Sequence, residues 1–141
     1  MIIPDVNLIV YAHNEESPFH QSALKWWAPL VVGDETIAIP WMVTLGFLRL
    51  MTNPRLSDQP LELERAVGIV RRWFVHPAVQ PVEPGTGHLR HLSELLLQVN
   101  VGAKLVNDAH LAAIAIEQRA VLHTHDRDFE RFSGLRIHDP L

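Results

Sequence analysis

Four aspartates fall where carboxylate chemistry would need them. Asp5 follows a short apolar run, Met1 to Pro4; Asp126 and Asp128 follow another, Ala120 to Thr124; Asp108 opens an apolar helical stretch. In an open α/β sheet, ligands bind beyond the carboxyl ends of the strands. Three or four carboxylates from distant parts of the chain are thus expected on one rim. Two like charges about 4 Å apart repel by about 4 kcal/mol at an effective dielectric of about 20, so such a cluster holds a proton or binds a cation. Oxygen ligands with no cysteine among them suit Mg²⁺ or Mn²⁺, and an ion of that kind activates water and neutralises charge developing on a phosphodiester. Taken singly, Asp5, Asp108 and Asp126 are better read as helix or turn caps, because aspartate is among the preferred N-caps. Their joint placement is what points to a site.

The elements that must position these groups alternate along the chain. Short apolar runs at Met1–Pro4, Thr36–Ile39, Val79–Val82, Ala120–Thr124 and Leu135–Ile137 read as strands. Between them, helices are predicted over Asn7–His13, from a Ser17 cap and Pro18 through Leu30, over Val43–Met51 after a break at Pro40, from Leu63 to Phe74, from Leu89 to Val99, and over Asp108–Gln118. This order predicts an α/β fold: a single domain with a central parallel sheet of about four or five short strands, flanked by helices.

Composition narrows the classes further. The chain has 141 residues with no cysteine, which excludes disulfide frameworks, thiolate zinc sites and cysteine nucleophiles. Hydrophobic residues make up 48%, too many for a disordered chain. The most apolar stretch, Thr36 to Leu48, is too short to span a bilayer, and no basic region precedes the apolar N-terminus. A soluble cytoplasmic protein without a membrane segment is expected. The formal charge of −4, from 12 basic and 16 acidic residues, argues against nonspecific nucleic-acid binding, which favours a basic excess. A bound cation removes that objection, since the metal rather than the net charge then meets the phosphate.

At the aspartates the chain resembles PIN domains, and among them the bacterial VapC toxins of type II toxin–antitoxin pairs. The resemblance rests on Asp5-Val6-Asn7-Leu8, on Asp108-Ala109-His110-Leu111-Ala112-Ala113-Ile114-Ala115, and on Thr124-His125-Asp126-Arg127-Asp128-Phe129 followed by Phe132-Ser133-Gly134-Leu135. Phe47-Leu48-Arg49 with Thr52-Asn53-Pro54-Arg55 resembles the middle helix of one VapC subgroup. It implies a Mg²⁺- or Mn²⁺-dependent ribonuclease that hydrolyses RNA. Asp5, Asp108 and Asp126 would be its catalytic acids and metal ligands, Asp128 a less constant acid, and Asn7 and Thr124 polar groups that orient the site. It also implies a homodimer and a small cognate antitoxin that blocks the acidic pocket, often with an arginine.

The chain departs from the family pattern in one place. Many PIN domains carry a glutamate in the middle helix, where Thr44-Leu45-Gly46 stands here. One tightly held ion is therefore expected rather than a pair, and a catalytically degenerate PIN fold that only binds a protein is the alternative reading. A phosphate-transferring hydrolase with Asp5 as nucleophile ranks last, because Asn7 stands where a second aspartate is wanted and only Lys25 and Lys104 could serve as its lysine.

The remaining conspicuous residues have plainer readings. Nine histidines form no regular zinc spacing, and solvated or core-edge positions are expected, with His110 and His125 as possible neighbours of the acids. Trp26, Trp27, Trp41 and Trp73 are assigned to the core or a dimer interface, with one of the adjacent Trp26 and Trp27 at a surface. Arg49 and Arg55, with Arg65, Arg71 and Arg72 nearby, are the RNA-binding candidates, against a reading of ordinary helix solvation.

Overall fold

The computed structural model describes residues 1–100 and 102–141. Five short strands form one all-parallel sheet: β1 (Ile2–Pro4), β2 (Ile37–Pro40), β3 (Val79–Val82), β4 (Val121–His123) and β5 (Arg136–His138), in the order β3-β2-β1-β4-β5. Six helices connect and cover it: α1 (Val6–His13), α2 (His20–Leu30), α3 (Trp41–Met51), α4 (Leu63–Trp73), α5 (His88–Val99) and α6 (Val106–Glu117). Short 3₁₀ turns stand at Ala103–Leu105 and Arg127–Arg131. The expected α/β architecture is the one observed.

The central strands read as uninterrupted apolar runs because helices cover both of their faces. Every residue of β1 and β2 is buried, and Ile3, Ile37, Ile39 and Leu122 lie at the centre of the core. The outer strands β3 and β5 are more exposed. Pro81 is accommodated in β3 because that strand lies at the sheet edge, where no neighbour on its outer side needs the missing N–H. On the other side of the core, Trp27 and Trp73 meet edge to face at 5.8 Å, and Phe47 lies 4.6 Å from Trp73. Trp26 is half-buried and donates its indole N–H to His123 Nδ1 at 2.9 Å, whereas Trp41 is exposed.

Several boundaries differ from the sequence expectation. Ser17 does not cap α2; its hydroxyl accepts the Phe19 N–H and its carbonyl accepts the His20 N–H, making a turn that feeds a helix starting at His20. Pro40 does not break β2 but ends it, in an extended conformation, and α3 begins at once with Trp41 rather than at Val43. A proline before a helix loses nothing by lacking an N–H there. α6 starts at Val106, so Asp108 is its third residue rather than its cap. Among the described residues, no helix is long and apolar enough to cross a membrane.

One register matters for the site. β1 and β4 are neighbours, with Pro4 opposite His123, and the Asp5 N–H continues the ladder to the His123 carbonyl at 2.8 Å. The residues that leave these two strands, Asp5 and Thr124, therefore emerge side by side.

Candidate metal centre

Thr124 joins the two strand ends. Its hydroxyl donates to Asp5 Oδ2 at 2.8 Å and accepts the Asp126 N–H at 3.0 Å. Both side chains are deep, with Thr124 1% and Asp5 5% exposed. Asp126 turns the chain into the Arg127–Arg131 turn, and its Oδ1 accepts the Asp128 N–H at 2.8 Å. The capping reading thus holds for Asp126. Asp5 does occupy the N-cap position of α1, where the Asn7 and Val6 N–H groups favour its carboxylate although no full side-chain cap bond forms, whereas Asp108 lies inside α6 and is not its cap.

The first turn of α6 completes the arrangement. Carboxylate oxygens of Asp108, Asp126 and Asp128 lie within 4.8 Å of one another, on half-buried side chains. Asp5, expected among the ligands, is not one of this trio: it is fastened to Thr124, and its charge is felt by Asp108. Asp128 has two cationic neighbours, Lys104 Nζ at 3.3 Å and an Arg131 guanidinium nitrogen at 3.6 Å. Asp126 keeps Oδ2 free of the turn, and Asp108 is the least engaged of the three.

Electrostatics report what the crowding costs. The Asp108 carboxyl is pushed up to about 6, first by burial and then by the charges of Asp126, Asp5 and Asp128, with Lys104 opposing. Burial also raises Asp5, and Asp126 adds to it; the Thr124 hydroxyl and the N–H groups of Asn7 and Val6 pull it back. Negative charge is thus held at the rim against its preference, the condition a hard divalent cation relieves. Three oxygen-only side chains at this spacing fit Mg²⁺ or Mn²⁺.

Other residues singled out in the sequence fall at varied distances from the rim. Asn7, second in α1, is half-buried and lines a groove of about 720 Å³ whose walls include Val10, His13, Met51, Leu61 and Arg65. Thr44, in the first turn of α3, is buried with its hydroxyl unpartnered. Arg49 occupies the last turn of α3 and Arg55 the loop beyond; both are exposed, and neither makes an ion pair among the described residues. His110 points away from the acids, its Nδ1 lying 2.7 Å from His88 Nε2, while His88 Nδ1 meets Glu117 at 2.6 Å. His125 meets Asp139 at 2.8 Å. Lys104 is the cation beside the acids that the sequence signals only by its place just ahead of the Asp108 helix.

The sequence profile of the PIN domain matches residues 2–135. Among curated proteins, ribonuclease VapC37 of Mycobacterium tuberculosis is 39% identical over 140 residues, covering 99% of this chain and 97% of that protein. Ribonuclease VapC33 of the same organism is 38% identical over 141 residues, covering 100% of this chain and 99% of that one. The chain belongs to the VapC family of PIN-domain toxins. Solved VapC structures share the fold at lower identity. VapBC2 from Rickettsia felis, bound to a fragment of its promoter DNA, superposes with a TM-score of 0.68 at 22% identity, covering 98% of both chains. VapC20 of M. tuberculosis, described as a sarcin–ricin loop cleaving toxin, gives 0.69 at 16% identity, covering 96% of this chain and 99% of its own. Within the VapC fold, the acidic rim occupies the sheet edge where ligands of open α/β sheets bind.

Proposed function

We propose that this VapC-family chain is the toxin of a type II toxin–antitoxin pair, a Mg²⁺- or Mn²⁺-dependent ribonuclease that hydrolyses RNA phosphodiester bonds. The observation that carries the reading is the convergence of Asp108, Asp126 and Asp128 within 4.8 Å, with Asp5 fastened to Thr124. A bound divalent ion would supply charge neutralisation at the phosphate and a more acidic water.

The chain's own groups divide the remaining work. Asp5, Asp108 and Asp126 are assigned as the catalytic acids and metal ligands, with Asp128 as a further acid. Thr124 holds Asp5 Oδ2, fixing that carboxylate at the end of β1. Asn7, at the start of α1, is assigned to orient the groups around it. Lys104, on Asp128, is a cation within reach of the rim where a phosphate would sit.

The partner reading follows the same charges. An antitoxin arginine would meet the acids, and the groove beside Asn7 would take the segment that carries it. Solved neighbours include VapBC-1 from nontypeable Haemophilus influenzae and FitAB bound to DNA, which supports a partnered toxin. Trp41 and Leu45, one turn apart on α3 and 47% and 60% exposed, are assigned to a homodimer interface. The degenerate, binding-only alternative is disfavoured by the presence of all of Asp5, Asp108 and Asp126.

The test is RNA cleavage by the purified protein. Cleavage should require Mg²⁺ or Mn²⁺ and vanish in Asp5→Asn. Metal-independent cleavage by that variant would sink the proposal.

A further inference from the structure

Three aromatic side chains stand in a row at the acidic rim without contributing to the acid cluster. The rings of Tyr11 and Phe19 lie 5.0 Å apart and tilted by 39°; those of Phe19 and His125 lie 5.0 Å apart and tilted by 60°. Tyr11 follows Asn7 by four residues and so shares its stripe of α1. The Tyr11 phenol is held above its ordinary pKa by burial and then by the charges of Asp5 and Asp126, which places it in the field of the rim. At the other end of the row, His125 directly precedes Asp126, and its Nδ1 is tied to Asp139.

Local structure fixes the backbone that carries the middle ring. The Ser17 hydroxyl accepts the Phe19 N–H, and His20 Nδ1 bonds the Tyr11 carbonyl at 2.9 Å, fixing the turn to α1. Phe19 is nevertheless 36% exposed, so part of its ring faces solvent beside the site.

We propose that Tyr11, Phe19 and His125 form a stacking platform for an unpaired base of single-stranded RNA, adjoining the nucleotide whose phosphate enters the acidic centre. This rests on the ribonuclease reading above. A base is one sugar away from its phosphate, so a surface that holds it must border the acids. The chain is also short of cations for gripping a polyanion, with 12 basic against 16 acidic residues, and the rim itself repels phosphate. Base–aromatic stacking supplies affinity that charge does not, and it tolerates any base. The Tyr11 hydroxyl and His125 Nε2 add polar tips able to bond a base edge.

The test is binding of a short labelled single-stranded RNA, and of a fully abasic ribose-phosphate strand of equal length, with Ca²⁺ in place of Mg²⁺ to withhold cleavage. Wild type should prefer the base-carrying strand. Phe19→Ala, and Phe19→Leu, which keeps the apolar bulk but loses the π-face, should weaken that strand by about tenfold or more and leave the abasic strand unchanged. Phe19→Trp should restore binding. The platform is overturned by unchanged affinity in both variants, by equal loss on both strands, by a wild type that binds no single-stranded RNA, or by a Phe19→Ala effect confined to a protein partner. A Phe19-dependent base preference without any Mn²⁺-dependent cleavage would uphold the platform and remove the ribonuclease reading instead.

Discussion

The Thr124 hydroxyl donates to Asp5 Oδ2 at 2.8 Å, linking positions 119 residues apart. Because both groups are buried, neither can exchange the other for water. Thr124→Val should destabilise the chain by about 1–3 kcal/mol, the cost of a buried acceptor left unpaired, and should also lower cleavage. Thr124→Ser should recover most of both. Urea unfolding and RNA cleavage, run on the same preparations, check this.

The acid cluster should give the metal-free protein a distinctive pH response. Asp108 titrates at about 6 in the folded chain against an ordinary 3.8. Protonation therefore stabilises the fold: that contribution is complete below the unfolded value and is lost as pH rises through about 6. Asp5 is shifted in the same direction. Metal-free thermal melts should fall across this window, and Asp108→Asn should flatten the fall. Added Mn²⁺ should raise the melting temperature at neutral pH and lose its effect as protons compete below about pH 6.

Calorimetric titration with Mn²⁺ should show one tight site per chain. No carboxylate stands at Thr44–Gly46, and Thr44 places a buried, unpartnered hydroxyl there instead. Two tight, saturating sites would contradict this assignment.

Arg49 lies in the last turn of α3, about 12 Å from Trp41 by helical rise alone. If Arg49 and Arg55 each neutralise one phosphate, replacing both with alanine should weaken single-stranded RNA binding and make the slope of log K against log salt shallower by roughly 1.4. Unchanged affinity and slope would reduce them to ordinary solvated residues.

Leu45 is exposed on α3, one turn from Trp41, whose ring stacks on Phe74 at 6.4 Å. Leu45→Arg should convert a dimer to a monomer in sedimentation experiments without changing the melting profile of the isolated fold. A wild type already monomeric at high concentration would remove the interface assignment.

The sheet and its acids were legible for the same reason. Strands buried on both faces must read as apolar runs, and the residues just after them must face the ligand edge, so Asp5, Asp126 and Asp128 were marked by position alone. Pro81 was the weakest strand signal, yet an edge strand leaves room for it. What the chain could not disclose depends on rotation and register. His110 adjoins Asp108 in spirit of sequence, but two helical residues turn the side chain about 200°, onto His88 of α5. Likewise, only the paired register of β1 and β4 decides that Thr124 holds Asp5 while Asp128 joins the tighter trio. The row from Tyr11 through Phe19 to His125 joins three separate segments, a neighbourhood no local pattern encodes.

The pairing of β1 with β4 has a consequence for folding. Asp5 follows β1 and Thr124 follows β4, so 119 residues separate the two groups whose bond anchors the rim. No local segment can assemble the acids; they meet only when the sheet closes across most of the chain, which makes the rim a product of slow, long-range contacts and its integrity a report on the whole fold.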